Sequence, residues 1–217
     1  MINTEKNARE KSANYKEEFD SEIWTKTDTS DIWIFDKLIL ARISGHTCGP
    51  RGSMVPVPGE YFVRPIMNTF GMGLMARVQH IDKYAEDMHP AEFWCELFRG
   101  RHISVDYENG EQILAVEGTK HEEKPFQRFV RWEKVSEEIP VPSALLEISK
   151  KYKYMNCEFI GGKLIEVHLR RNYDFAYGNS IMIPDWGDES TPSGTDGMTY
   201  IRDEPGCPSG RVGIFVS

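Results

Sequence analysis

Residues 156–172, NCEFIGGKLIEVHLRRN, contain two runs of alternating polar and apolar residues on either side of a Gly-Gly pair. That pattern is typical of a β-hairpin. Two registers fit it. A two-residue Gly161-Gly162 loop would pair Ile160 with Lys163, whereas a three-residue loop would pair Ile160 with Leu164. A shift of one residue turns every side chain of a strand to the other face, so the two registers predict different buried faces.

The three-residue loop separates the polar side chains of the hairpin from the apolar ones. Its apolar face would hold Met155, Cys157, Phe159, Ile165, Val167 and Leu169. Its polar face would hold Asn156, Glu158, Glu166, His168 and Arg170. The two-residue loop would mix both kinds of side chain on one face, so burial favours the three-residue loop.

In the favoured register, Glu158 and Glu166 lie opposite each other, where two carboxylates repel. Two interpretations remain. A Mg²⁺ ion bound to a nucleotide triphosphate would remove the repulsion, because Mg²⁺ takes carboxylate oxygens together with phosphates. Alternatively, the face is solvated and the glutamates pair with Lys163 and the arginines. If the repulsion is uncompensated, Glu166→Gln should leave the metal-free protein equally stable or slightly more stable.

Composition limits the classes of function. The chain has 217 residues, enough for one sizeable domain or two small lobes. A net charge of -8 argues against a nucleic-acid partner, and no apolar run is long enough to cross a membrane. The four cysteines, at positions 48, 95, 157 and 207, match no zinc or redox spacing. We therefore expect buried free thiols in a cytoplasmic protein.

The remaining pattern predicts an α+β protein with mostly antiparallel sheet. The predicted elements are a charged arm in residues 1–22, a helix in 30–46, strands on both sides of a glycine loop in 60–81, two or three strands in 93–118, a helix in 141–152 and a strand in 211–216. Asp31 and Ser143 are the expected N-caps, and Gly45 is the expected end of the first helix. Asn109-Gly110 predicts a tight turn.

The hairpin resembles the metal-binding hairpin of the ATP-grasp superfamily. In that family an acidic residue on one strand precedes a strand that reads Glu-x-Asn, usually with an arginine two positions later. The resemblance implies that Glu158 and Glu166 bind Mg²⁺ and that His168 takes the place of the asparagine. Arg170 takes the place of the arginine near the transferred phosphate. Imidazole suits Mn²⁺ better than Mg²⁺, so His168 either favours Mn²⁺ as a ligand or only hydrogen-bonds nearby.

Three other segments resemble ATP-grasp motifs in the family's order. FDKLILARISGHTCGP (35–50) is similar to the opening helix, YFVRPIMNTFGMG (61–73) to a strand and a mobile glycine loop over the phosphates, and FWCELFRGRHISVDY (93–107) to the hinge strand that lines the adenine. The resemblance spans roughly residues 35 to 175. The nucleotide contacts that it implies are Lys37, Arg64, Gly71, Gly73, Cys95, Glu96, Leu97 and Phe98. His102 stands where many relatives carry an acid that binds ribose.

The resemblance implies two small α+β lobes around a nucleotide. We expect an N-terminal arm in residues 1–30, a lobe with the glycine loop in 31–92 and a lobe with the metal hairpin in 93–217. The separate substrate domain of many relatives would be absent or reduced to the arm.

The implied activity is an ATP- and Mg²⁺-dependent ligase that joins a carboxylate to an amine or thiol through an acyl phosphate, with Arg64 and Arg170 as catalytic residues. Its substrates would be small-molecule or peptide carboxylates and amines. The acceptor site would lie on this chain, on a second copy of it or on another subunit. Two alternatives remain, a kinase that phosphorylates a hydroxyl and a nucleotide-binding module without turnover.

Overall fold

The computed structural model describes residues 20–67, 73–172, 174–187, 192–203 and 210–217. Within these ranges the chain forms three short α-helices and twelve strands in two antiparallel sheets. The helices are α1 (Asp20–Lys26), α2 (Lys37–Ile43) and α3 (Leu146–Lys151). The strands are β1 (Cys48–Pro50), β2 (Gly59–Pro65), β3 (Arg77–Ile81), β4 (Glu92–Glu96), β5 (His102–Glu108), β6 (Glu111–Lys120), β7 (Phe129–Lys134), β8 (Tyr154–Ile160), β9 (Lys163–His168), β10 (Ile181–Asp185), β11 (Thr199–Arg202) and β12 (Gly213–Val216). The predicted α+β class is confirmed. None of the helices in the described ranges is long and apolar enough to cross a membrane.

The smaller sheet has the strand order β1-β4-β2-β3. Its strands β2 and β3 flank the predicted glycine loop, as expected from the sequence. β4 pairs with both β1 and β2, so this sheet reaches past the lobe boundary that we placed after residue 92. The positions of the lobe boundaries remain predictions.

The larger sheet has the strand order β11-β12-β10-β7-β6-β5-β8-β9. The β5–β6 turn has φ angles of 51° at Asn109 and 84° at Gly110, which confirms the predicted tight turn. One face of β5, β8 and β9 covers the main hydrophobic core together with the first helices. The predicted apolar face of the hairpin is buried at all six positions: Met155, Cys157, Phe159, Ile165, Val167 and Leu169.

The hairpin loop has two residues, so the predicted three-residue loop is wrong. Gly161 and Gly162 have φ angles of 55° and 76°, and Ile160 pairs with Lys163. Two successive positive φ angles match a turn whose twist suits neighbouring strands. Glycine is also required at position 161 by space, because a Cβ there would lie 2.2 Å from the carbonyl oxygen of Arg99.

A β-bulge restores the predicted pairing of the glutamates. Phe159 pairs with Leu164, but the next pair is Glu158 with Glu166, so Ile165 has no partner of its own. The extra residue shifts the register by one position within β9. The loop of one candidate register is therefore combined with the carboxylate pairing of the other.

The predicted helix in residues 30–46 is wrong, because the segment forms two separate helices. A 3₁₀ helix spans Ile32–Phe35, and α2 begins at Lys37. The break occurs at Asp36, whose carboxylate accepts a hydrogen bond from the Ile39 N–H at 2.8 Å and so caps α2. Asp31 makes no capping bond. Gly45 has a φ of 74° just after the helix, as the predicted helix end requires.

Four strands lie outside the predicted ones, namely β1, β7, β10 and β11. β10 contains Pro184, which lacks an N–H and cannot donate to a neighbouring strand. The proline is tolerated because β7 pairs with β10 only at Ile181 and Met182, so Pro184 has a partner on one side alone. Ser143 begins a second 3₁₀ helix instead of capping α3.

The cysteines in the described ranges are free. Cys95 and Cys157 are buried, as predicted, and Cys48 is half-buried. Cys207 lies outside the described residues.

Candidate nucleotide and metal site

A cluster of buried charged side chains lies where α2 and β2 meet the polar face of β5, β8 and β9. Five of its members are each 7% exposed: Lys37, Arg64, His102, His168 and Arg170. Glu158 and Glu166 complete it, and we call these seven residues the charged cluster. Ionisable side chains are seldom this buried unless they are paired, so their partners determine what the cluster can do.

Glu166 is held by two cationic or potentially cationic side chains. Its carboxylate lies 3.2 Å from Lys37 Nζ and 3.1 Å from His168 Nε2. Burial raises the pKa of Glu166, but Lys37 and His168 outweigh it, so the pKa lies well below its usual range. Burial lowers the pKa of Lys37, and the charge of Glu166 opposes that change. Glu166 is therefore an anion with its charge compensated inside the protein.

Glu158 has its own partner across the β5–β8 pair. His102 Nε2 lies 3.1 Å from Glu158 Oε2. Burial raises the pKa of Glu158, but the contact with His102 outweighs it and the pKa is lowered. The prediction of uncompensated repulsion between the two glutamates is therefore wrong, and so is the alternative of a solvated face, since their side chains are only 19% and 15% exposed.

Arg64 reaches from the smaller sheet to the hairpin. Its NH2 group donates to the carbonyl oxygen of Ile165, the bulged residue, at 2.8 Å. Its guanidinium lies 5.3 Å from the ring centre of Phe93 and 5.9 Å from that of Phe62. Arg64 Nε is buried and has no hydrogen-bond partner in the described part of the chain. A buried donor without a partner requires an explanation, and a ligand oxygen provides one.

Arg170 lies just beyond the end of β9 and joins the same cluster. One of its amino groups lies 3.4 Å from His168 Nδ1, and another donates to the backbone oxygen of Arg171 at 3.0 Å. The two predicted catalytic arginines, Arg64 and Arg170, therefore approach the hairpin from two different elements. Their catalytic role remains a prediction.

The predicted adenine-lining residues lie at the end of β4. Cys95 is buried inside the sheet. Glu96 accepts a hydrogen bond from the Thr47 N–H at 3.1 Å, so its carboxylate already has a protein partner. Leu97 and Phe98 are half-buried and follow the last residue of the strand. Among these four, Leu97 and Phe98 lie outside the strand pairing of the sheet.

The described end of the glycine loop packs tightly on another segment. Gly73 has a φ of 56°, and a Cβ there would lie 1.9 Å from the carbonyl oxygen of Phe126. Only glycine fits this conformation and this approach. Gly71, the other predicted loop contact, lies outside the described residues.

A polar network beside the cluster was not predicted. Asn156 Nδ2 donates to Ser104 Oγ at 2.9 Å and to Asp106 Oδ1 at 2.8 Å. Asp106 also accepts the backbone N–H of Asn172 at 3.1 Å and the hydroxyl of Tyr177. Burial raises the pKa of Asp106 to about 6. The network supports β8 and the segment after β9, and so positions Arg170.

One sequence signal pointed to this network. His102, Ser104 and Asp106 alternate with Ile103, Val105 and Tyr107, which is the period-two pattern of a strand with one polar face. All three polar residues are buried. Read together with the hairpin, the pattern predicts that β5 shares the hairpin's polar face.

The residues present can hold a metal ion only together with a ligand. No group of three or more His, Cys, Asp or Glu side chains in the described ranges is arranged to bind a metal. Two facing carboxylates nevertheless fit Mg²⁺, which is often bound by one or two carboxylates together with substrate phosphates. The imidazole of His168 is bonded to Glu166, so as a third ligand it remains a prediction.

Neither a family model nor a curated protein matches the sequence. Among solved structures, the chain is similar to the ATP-grasp ligase PsnB bound to a minimal precursor (16% identity, 66% of this chain and 54% of that chain, TM-score 0.40). It is also similar to an L-amino acid ligase from Bacillus licheniformis (11% identity, 76% of this chain and 45% of that chain, TM-score 0.41). A third similar structure is the D-alanine–D-alanine ligase from Bacillus anthracis bound to ATP (15% identity, 64% of this chain and 56% of that chain, TM-score 0.35). The chain spans about half the length of each of these proteins, and the likeness is partial.

Proposed function

We propose that this protein is an ATP- and Mg²⁺-dependent ligase of the ATP-grasp type, which joins a carboxylate to an amine or thiol through an acyl phosphate. The observation that supports the proposal is the charged cluster. Glu158 and Glu166 face each other across the hairpin. Lys37 reaches Glu166 from α2, and Arg64 reaches the neighbouring Ile165 carbonyl oxygen from β2. Carboxylates beside buried cations suit a ligand that carries both a divalent metal and phosphates.

The charge of the cluster favours an anionic ligand. Among the seven residues of the charged cluster, the basic side chains of Lys37, Arg64 and Arg170 accompany two carboxylates. This occurs within a chain whose net charge is -8. The unpartnered Nε of Arg64 adds a buried donor. Phosphate oxygens would satisfy both the charge and the donor, because hydrogen bonds between charged groups are the strongest kind in proteins.

In the proposed complex the carboxylates would bind the metal and the cations would bind the phosphates. Mg²⁺ held by Glu158 and Glu166 would supply charge neutralisation at the phosphate oxygens. Lys37 would exchange Glu166 for a phosphate oxygen, so that its buried charge stays compensated. His168, bonded to Glu166 and next to Arg170, would keep both side chains oriented.

The proposed reaction needs no nucleophilic side chain. An oxygen of the substrate carboxylate attacks the γ-phosphorus, and the bond to the ADP oxygen breaks, which gives an acyl phosphate. The amine or thiol then attacks the carbonyl carbon and inorganic phosphate leaves. Arg64 and Arg170 would stabilise the charge on the transferred phosphoryl group, where fixed cations in a buried site have their largest effect.

One observation favours a second function, a nucleotide-binding module without turnover. Glu166 and Glu158 already have protein partners, and no three-residue metal site exists within the described residues. If these ion pairs persist with a nucleotide bound, the carboxylates would not reach the metal. Such a protein would bind ATP without forming ADP.

The test measures binding and turnover separately. Mg·ATP should raise the melting temperature more than AMP does, because most of the proposed contacts are to phosphates. Turnover should release ADP, and hydroxylamine should trap the acyl phosphate once the acid substrate is supplied. A trapped hydroxamate supports the ligase, whereas tight ATP binding without ADP supports the module. Equal melting shifts with AMP and ATP would contradict the proposed phosphate contacts.

Arg64→Ala provides the residue-level test, with Arg101→Ala as the matched control. Arg101 is exposed and pairs with Glu117 and Glu137 on the surface. Arg64→Ala would lose charge-assisted hydrogen bonds to ATP that contribute about 1.5–3 kcal/mol, so its ATP affinity should fall by roughly one to two orders of magnitude. Arg101→Ala should bind like the wild type. Unchanged ATP affinity in a folded Arg64→Ala protein would place the nucleotide elsewhere.

A further inference from the structure

Two cysteines lie directly opposite each other in the smaller sheet. Cys48 of β1 pairs with Cys95 of β4. The neighbouring pair, Thr47 and Glu96, is joined by a backbone hydrogen bond, in which the Glu96 N–H donates to the Thr47 carbonyl oxygen at 3.0 Å. Since hydrogen-bonded and non-hydrogen-bonded pairs alternate along an antiparallel ladder, Cys48 and Cys95 form a non-hydrogen-bonded pair, with Cα atoms about 4.5 Å apart. That separation lies within the range of about 4.4–6.8 Å found for disulfides.

The contact between β1 and β4 is close and well fixed. A Cβ at Gly49 would lie 2.9 Å from the ring of Trp94, so the two strands could not approach this closely with a larger residue. Trp94 Nε1 donates to Ser53 Oγ at 2.8 Å, and that hydroxyl donates to the Pro50 carbonyl oxygen at 2.6 Å. These contacts fix the two strands beside the cysteines, whose side chains share one face of the sheet because the residues lie directly opposite each other.

We propose that Cys48 and Cys95 are a reversible redox site that forms an intramolecular disulfide with a peroxide or with a low-molecular-weight disulfide. Cys48 reacts first, because it is half-buried whereas Cys95 is buried. With hydrogen peroxide, the Cys48 sulfur attacks one oxygen and the O–O bond breaks, which gives a sulfenic acid and water. The Cys95 sulfur then attacks the Cys48 sulfur. The S–O bond breaks, a second water leaves, and the S–S bond forms.

Burial of the pair slows its oxidation. Burial raises the pKa of Cys48, and it raises that of Cys95 to about 11, so both are thiols at neutral pH. Only the thiolate reacts readily, and the disulfide should therefore form slowly compared with one between exposed thiols. Cys157 has no such opposite cysteine, since it pairs with Val105 and Val167.

The site matters for the nucleotide only if the proposed function holds, because Cys95 then belongs to the segment that lines the adenine. A disulfide would fix β1 to the end of β4 at this point. The oxidation itself does not depend on the proposed function, and it is tested without a nucleotide.

The experiment treats the folded, full-length chain with hydrogen peroxide or oxidised glutathione, then maps peptides by mass spectrometry without reduction. The expected product is a Cys48–Cys95 peptide pair lighter by two hydrogen atoms, which dithiothreitol separates. Cys157→Ser and Cys207→Ser should give the same product, whereas Cys48→Ser and Cys95→Ser should not. If both oxidants leave the pair unlinked in the folded wild type, or if another pairing predominates, the proposal is overturned. ATP turnover plays no part in this readout, so its result is independent of the ligase proposal.

Discussion

Replacing Glu166 with glutamine tests the electrostatics of the charged cluster most directly. The substitution keeps the size of the side chain but removes the charge that compensates Lys37 at 3.2 Å and contacts His168 at 3.1 Å. Lys37, whose side chain is 8% exposed, would then be a buried ammonium without its carboxylate. The metal-free protein should therefore become less stable, which is the opposite of what repulsion between Glu158 and Glu166 would predict.

The size of the effect follows from the burial of the pair. Removing one partner of a buried ion pair costs about 3–5 kcal/mol, because the other charge stays buried. For a chain of this length, that corresponds to a fall in melting temperature of roughly 6–20 °C. The Lys37→Met, Glu166→Gln double variant should be less destabilised than the sum of the single variants, since neither charge is then left alone.

The assay is urea unfolding of the metal-free protein, with Glu147→Gln as the control. Glu147 is 93% exposed and lies 3.7 Å from Lys150, so its loss should change the free energy of unfolding by no more than about 0.5 kcal/mol. The pKa of Glu166 is lowered in the folded protein. Its contribution is therefore present above the unfolded-state pKa of about 4.3 and is lost as the pH falls below it.

A Glu166→Gln protein that unfolds like the wild type at neutral pH would show that the buried charge of Lys37 does not depend on this carboxylate. A double variant that shows strict additivity would lead to the same conclusion, because Lys37 and Glu166 would then not be coupled. Independent of stability, the ligase proposal expects Glu166→Gln to lose Mg²⁺-dependent ATP turnover.

Two further predictions concern stability. Burial raises the pKa of Asp106 to about 6, so the folded protein binds a proton at this carboxyl more tightly than the unfolded chain does. The resulting stabilisation of about 3 kcal/mol is complete below the unfolded-state pKa of about 4 and is lost as the pH rises from about 4 to about 6. When urea unfolding is measured across that range, the free energy of unfolding should change less with pH in Asp106→Asn than in the wild type. An identical pH dependence in both proteins would rule out Asp106 as its cause. Gly45→Ala should cost about 1–2 kcal/mol through its positive φ alone, since nothing lies within 4 Å of the new methyl group. Gly73→Ala should destabilise the fold clearly more than Gly45→Ala, because its methyl group would meet the Phe126 carbonyl oxygen. Equal losses of stability in the two variants would show that the backbone at Phe126 moves away without cost.

Local periodicity predicted the parts of the fold that depend on neighbouring residues. Alternation of polar and apolar residues predicted the buried face of the hairpin and the opposition of Glu158 and Glu166. It did not predict the bulge at Ile165, because the same alternation is satisfied by a longer loop. The break at Asp36 was missed because Ile34, Phe35, Leu38 and Ile39 continue a helical spacing across it.

The partners within the candidate site could not be predicted from spacing. Lys37 and Glu166 are far apart in sequence and meet only because α2 packs beside β9. His102 stands where many relatives of the resembled family carry a ribose-binding acid, and in the structure it is bonded to Glu158. A motif identifies residue types in order along the chain. Which of two nearby cations compensates which carboxylate depends on packing between elements.

The bulge at Ile165 makes this hairpin suitable for a single-residue deletion. Without Ile165 the two strands would form an uninterrupted ladder, and the two glutamates would keep their pairing across the same two-residue turn. The carbonyl oxygen that receives Arg64 belongs to the deleted residue. Shortening the chain by this one amino acid would therefore remove the carbonyl group that joins β2 to β9 while keeping the strand pairing of the hairpin, a separation that no side-chain substitution in β9 can achieve.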